Sequence, residues 1–72
     1  MNSLDPKQYN IVIVGAGVVG EATGKGLAKK GHQVSYVDVN PKRIAQLRQH
    51  NLPAMTAQEV DWSQPDKVIS KK

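Results

Sequence analysis

The sequence predicts an α/β fold, a parallel sheet of three to four strands built from β-α-β-α-β units. Three observations carry that expectation. A β-branched run, Ile11-Val12-Ile13-Val14, ends directly on a glycine, and a continuous apolar run of this length suits a parallel strand buried on both faces. A helix-like stretch separates it from a second apolar run, Val34-Ser35-Tyr36-Val37. Between the first run and the helix stands Gly15-Ala16-Gly17-Val18-Val19-Gly20, and the second run closes on an acid, Asp38.

Each element follows in order. Asn10 to Val14 is the first strand. From Val18 to Lys30 the pattern is helical, with Val19, Ala22, Thr23, Leu27 and Ala28 able to share one face. Lys29 and Lys30 fall in the last turn, where cations complement the helix dipole, and Gly31 is the expected stop. Gln33 to Val37 is the second strand, so that strand, helix and parallel strand make a right-handed unit. Asn40-Pro41 reads as an N-cap followed by proline at the first helical position. Ile44, Ala45, Leu47 and Arg48 carry a second helix to about His50.

Leu52 to Met55 gives a short third strand, with Pro53 more tolerable at a sheet edge. Thr56-Ala57-Gln58-Glu59 has the spacing of a capping box, and Pro65 keeps any helix there brief. Lys67-Val68-Ile69-Ser70 opens a fourth strand. The order is that of half a Rossmann fold, one mononucleotide-binding unit followed by a stub. Residues 1–9 are expected to be a flexible polar arm, and residues 10–72 the N-terminal part of a dinucleotide-binding domain.

Seventy-two residues make at most one small domain, marginally stable without staples or partners. The absence of cysteine excludes disulfides, thiolate metal sites and thiol nucleophiles within these residues. The formal charge of +4 comes from ten basic and six acidic residues, the basic ones spread along the chain and ending in Lys71-Lys72. One Trp, two Tyr and no Phe give no stacking platform, so no nucleic-acid partner is expected. No apolar run is long enough for a membrane span, and Met1 to Asn10 lacks a signal-peptide layout. A cytoplasmic protein with no membrane partner is the expectation. His32 and His50 are expected to cap helix carbonyls or face solvent rather than bind metal, and Trp62 to anchor the core. No serine has a base in a recognisable motif, so no catalytic residue is assigned. A half sheet would leave strand edges and an apolar face uncovered, which points to a homo-oligomer through exposed sheet edges.

Each glycine of the turn has its own task. Gly15 permits the tight turn out of the strand, Gly17 lets the backbone approach a pyrophosphate, and Gly20 lets the helix lie close to the sheet. Gly24 extends the small-residue spacing by one helical turn. The N–H groups around Gly17, Val18 and Val19 are expected to face the pyrophosphate, aided by the helix dipole. Glu21 suits a first helical turn but is a mildly unfavourable neighbour for phosphates. Asp38 lies about twenty residues beyond the central glycine, where a carboxylate binds ribose hydroxyls and repels a 2′-phosphate. NAD is therefore the expected cofactor, although Lys42 and Arg43 are cations placed where a phosphate could also be held.

From Ile11 to about Leu52 the chain resembles the NAD-binding domain of the UDP-glucose/GDP-mannose dehydrogenase family. The resemblance rests on Val14-Gly15-Ala16-Gly17-Val18-Val19-Gly20, Lys30-Gly31-His32-Gln33-Val34 and Val37-Asp38-Val39-Asn40-Pro41-Lys42-Arg43. It implies that the glycine turn holds the pyrophosphate, that Asp38 binds the adenosine ribose, and that Arg43 matches a basic residue on that side of the cofactor. Enzymes of this family oxidise a nucleotide-sugar alcohol to a carboxylate in two NAD-dependent steps. The sequence departs from the family at Ala54-Met55-Thr56-Ala57, where a Tyr-Glu-Pro-Gly-like segment is usual. The catalytic cysteine, its lysine and the sugar-binding half are not among these residues. The expected function is to bind the ADP part of NAD without turnover by these residues alone.

Alternatives stay open. The interval from Leu52 to Lys67 is equally similar to β-hydroxyacid dehydrogenases. A nucleotide-sensing module of potassium channels begins alike, but its Gly-Asp step after the third strand is not visible here. FAD-dependent oxidases usually carry glutamate at the Asp38 position and rank last.

Overall fold

The structure, a computed structural model, describes residues 8–15 and 17–70. Six main elements follow in order: β1 (Asn10–Val14), α1 (Val18–Lys29), β2 (Gln33–Val37), α2 (Pro41–Gln49), β3 (Ala54–Met55) and β4 (Lys67–Ser70), with a 3₁₀ turn at Ala57–Glu59 between the last two. The strands form one parallel sheet in the order β3-β2-β1-β4. This is the half-Rossmann arrangement, and the chain changes direction across the sheet between β1 and β4.

Local chemistry sets where the helices begin and end. Asn40 caps α2 by accepting a hydrogen bond from the Lys42 N–H at 2.9 Å, and Pro41 occupies the first turn, where no N–H is needed. Both helices stop in the same way. Gly31 adopts φ +95°, its N–H donating to Ala28 O and that of His32 to Leu27 O. Asn51 adopts φ +61°, its N–H donating to Arg48 O and that of Leu52 to Leu47 O. These paired bonds satisfy the last carbonyls of each helix, and they require a residue that tolerates the left-handed region.

The main core lies on one face of the sheet. Ile11, Ile13, Val34, Tyr36 and Ala54 point from alternate strand positions toward Ile44 and Leu47 of α2. Side chains on the opposite face include Val12 and Val37, and both are buried. The crossover from β3 to β4 brings Val60, Gln64 and Pro65 around a cleft shared with Val12, Ser35 and Met55. The second face is thus not left bare as the sequence leads one to expect, because the chain's own crossover lies against it.

Helix α1 uses a different face from the one its apolar spacing indicates. Gly20 and Gly24 are the buried residues, whereas Val18 and Val19 are exposed, Val18 to 84%. A Cβ on Gly20 would stand 2.8 Å from the Gly15 carbonyl oxygen, and one on Gly24 would overlap the Tyr36 hydroxyl. Helix and sheet approach along the glycines. Apolar side chains on that line would hold them apart.

Two further expectations need correction. Trp62 is not a core anchor: it is 46% exposed, and its indole N–H donates to Ala57 O at 3.1 Å, bracing the crossover. His32 does not cap the helix with its ring. Its Nδ1 accepts the Tyr9 N–H at 3.1 Å, and the two rings stack 5.5 Å apart. Residues 1–7 of the expected arm, and Lys71-Lys72, lie outside the described residues. The capping box is present, with Glu59 accepting from the Thr56 N–H at 2.9 Å and from its hydroxyl at 3.1 Å. β3 is a two-residue edge strand, and Pro53 just before it contributes its carbonyl to the Tyr36 N–H, so proline's missing donor is not needed.

Candidate functional site

The strand register brings the glycine turn and the acid together. Val14 of β1 stands opposite Val37 of β2, and the next residues are Gly15 and Asp38. The Gly15 N–H donates to Val37 O at 2.9 Å, which fixes the turn to the end of β2. On its other side Asp38 is held by its N–H to Met55 O at 3.3 Å. The C-terminal ends of parallel strands, where a helix then starts, are where open α/β sheets receive ligands.

The three glycines of the turn separate by physical cause. Gly15 sits at φ +83°, a region costly for any side-chain-bearing residue. Gly20 is required by the close approach to the Gly15 carbonyl. Neither reason applies to Gly17, which has φ −76° and ψ −166°, and where an added Cβ would meet nothing within 4 Å. Its lack of a side chain serves nothing inside the described fold.

Helix geometry leaves the first N–H groups of α1 without a carbonyl one turn earlier. Gly17, the N-cap, is an exception to the sequence expectation, since its N–H already donates to Gly15 O at 2.9 Å. The donors at this helix start are therefore those of Val18 and Val19. Ala16, inside the turn, lies outside the described residues.

Asp38 accepts the Asn40 N–H through Oδ1 at 2.9 Å, while Asn40 in turn caps α2. This chain of local bonds sets the acid at the mouth of the helix that carries Arg43. Arg43 reaches back to α1, where its guanidinium meets Glu21 Oε1 at 2.6 Å. Lys25, one turn on, meets the other oxygen, Oε2, at 2.8 Å. The hydrogen bond from Lys25, then that from Arg43, holds the Glu21 carboxyl below its ordinary range. Below this pair, the buried Tyr36 hydroxyl donates to the Glu21 carbonyl at 3.3 Å, and burial pushes its phenol up.

Two participants were not legible in the sequence. The Glu21–Arg43 pair joins residues far apart in the chain, and no local spacing signals it. Val39, directly after the acid, is 95% exposed. An apolar side chain held in water directly after the acid is seen only from its exposure.

A larger cleft lies elsewhere. A groove of about 770 Å³ runs between the later turns of α1 and the turn before β3, floored by Val34, Tyr36 and Leu52. It is away from the strand ends, unlike a smaller cleft of about 260 Å³ beside Val18, Glu21 and Arg43. The smaller one adjoins the start of α1, on the side where open α/β sheets receive ligands. Among the described residues no group of three His, Cys, Asp or Glu side chains is placed to hold a metal, and no helix is long and apolar enough to cross a membrane.

A parallel β-α-β sheet, a glycine turn opening its first helix and an acid closing its second strand together make the first half of a Rossmann domain. The sequence model of the UDP-glucose/GDP-mannose dehydrogenase family, NAD binding domain, matches residues 9–65. The chain belongs to that family. The match extends past the segment that carries the resemblance in sequence and takes in β3 and most of the crossover. No curated protein matches the chain significantly.

Proposed function

We propose that the chain binds NAD through the ADP part of the cofactor, as the cofactor-holding half of a nucleotide-sugar dehydrogenase. The observation that carries this reading is Gly17, a glycine that neither backbone strain nor internal packing requires, at the start of α1. A bare backbone there admits a pyrophosphate, and the N–H groups of Val18 and Val19 with the helix dipole attract it. Asp38 would accept the ribose hydroxyls, Val39 would pack on the adenine, and Gly15 and Gly20 hold the turn in shape. Bound NAD supplies the hydride acceptor. These residues contribute grip and orientation, and none of them is assigned to catalysis.

Choice of the sugar-nucleotide class over a β-hydroxy acid rests on the family match through residue 65. Choice of NAD over NADP rests on Asp38, because a 2′-phosphate beside that carboxylate is repelled. Titration calorimetry with the full chain is expected to show NAD bound at least about tenfold more tightly than NADP. Equal affinities would remove the role given to Asp38.

A partner is proposed on the same footing. β4 ends the sheet order, and among the described residues no strand pairs with its outer side, where Val68 is exposed. An unpaired edge of this kind recruits another strand, so a second copy of the chain is expected to pair there. Light scattering should show a dimer that Val68→Lys weakens; a monomer at high concentration would contradict it.

A further inference from the structure

Glu21 is an unexpected residue at this place, because a carboxylate in the first turn of α1 opposes the phosphates that the turn attracts. Its surroundings explain what it can do. The two Glu21 oxygens are taken up separately, Oε1 by Arg43 at 2.6 Å and Oε2 by Lys25 at 2.8 Å. Arg43 sits in the first turn of α2, and the N-cap of that helix is bonded to Asp38 through the Asn40 N–H. A guanidinium on the helix that follows the ribose-binding acid is a natural anchor for a 2′-phosphate, since its planar fork matches phosphate oxygens. Here one arm of that fork meets the Glu21 carboxylate and the other donates to Gln46 Oε1 at 3.3 Å.

We propose that Glu21 is a specificity-determining residue, which discriminates against NADP by pairing with Arg43, on the helix that follows Asp38, and with Lys25. The inference rests on the reading of this turn as a dinucleotide site. Asp38 repels the 2′-phosphate directly, and Glu21 engages Arg43, a cation that would offset that repulsion. Both act at one subsite from different elements, the end of β2 and the start of α1. The pyrophosphate is common to both cofactors, so any effect of Glu21 on it cancels in the ratio of the two affinities. That ratio isolates the 2′-phosphate.

The test is calorimetry of NAD and NADP with the full chain as wild type, Glu21→Gln, Glu21→Asp and the double variant Glu21→Gln/Arg43→Gln, each checked for a native melt. Glu21→Gln is expected to lower the NAD-over-NADP preference about tenfold, as a released cation forms a charge-assisted bond to the phosphate. Glu21→Asp, which keeps the charge, should stay within about twofold of wild type. Replacing Arg43 as well should reverse most of the gain in NADP binding. If wild type binds NAD and Glu21→Gln leaves the preference unchanged, or the gain survives without Arg43, the role of Glu21 is overturned while the site stands. If wild type binds neither dinucleotide, the reading of the site falls, and this inference falls with it.

Discussion

Gly24→Val is expected to cost the fold most of its stability. A Cβ at this position would overlap the Tyr36 hydroxyl and lie 2.5 Å from Cζ and 2.7 Å from Cε1 of the same ring. Tyr36 is 1% exposed and cannot turn aside without leaving the core. Either the ring is expelled or α1 lifts from the sheet. Overpacking of this kind costs about 1–3 kcal/mol for small additions, and valine adds two further methyl groups. A single core of this size supplies only about 3–5 kcal/mol in all. The urea midpoint should therefore fall steeply. Gly24→Ala gains helix propensity of about 1 kcal/mol, yet should still be less stable than wild type. Combining it with Tyr36→Leu should cost less than the sum of the two, because the second change removes the obstacle. Gly26→Ala is the control: nothing lies within 4 Å of its added Cβ, so propensity alone should act, and the helix should gain. If Gly24→Ala behaves like Gly26→Ala, the packing account of α1 is wrong.

Gly17→Val is expected to separate binding from folding. Its backbone lies in a region open to any residue, and no neighbour obstructs a side chain. Stability should fall by about 1 kcal/mol, the usual effect of a poor N-cap residue. NAD affinity should fall by about 100-fold or more, since branched carbons would occupy the approach that the phosphates need. The contrast with Gly24 is the point. On the proposed reading, Gly24 inside α1 is required by the fold and Gly17 at its N-cap by what the fold receives.

Much of the architecture is legible in the sequence because the signals are local. The β-branched runs of β1 and β2 are bounded by glycine and acid, and Asn40-Pro41 and Gly31 punctuate the helices, whereas the left-handed stop at Asn51 carries no glycine to announce it. The pairing of Gly15 with Asp38 follows from parallel register once the two strands are accepted. The buried face of α1 was not legible by apolar spacing. A close approach is made by residues that have no side chain, so counting apolar residues points to Val19 and Ala22 instead of Gly20 and Gly24. Trp62 misleads for a related reason: its size suits a core, but its N–H finds the Ala57 carbonyl on a crossover that has no helix to bury it. The Glu21–Arg43 contact belongs to tertiary structure. Only the packing of α1 beside α2 brings those charges together.

The central claim is that the glycine turn and Asp38 form one dinucleotide site. Titrating NAD into the isotope-labelled chain and following backbone amide resonances tests it most directly. The account predicts saturable shifts clustered on Gly15 to Glu21 and on Asp38 to Arg43, and their loss in Gly17→Val. Shifts centred instead on the groove at Val34, Tyr36 and Leu52, or unchanged in Gly17→Val, would contradict it.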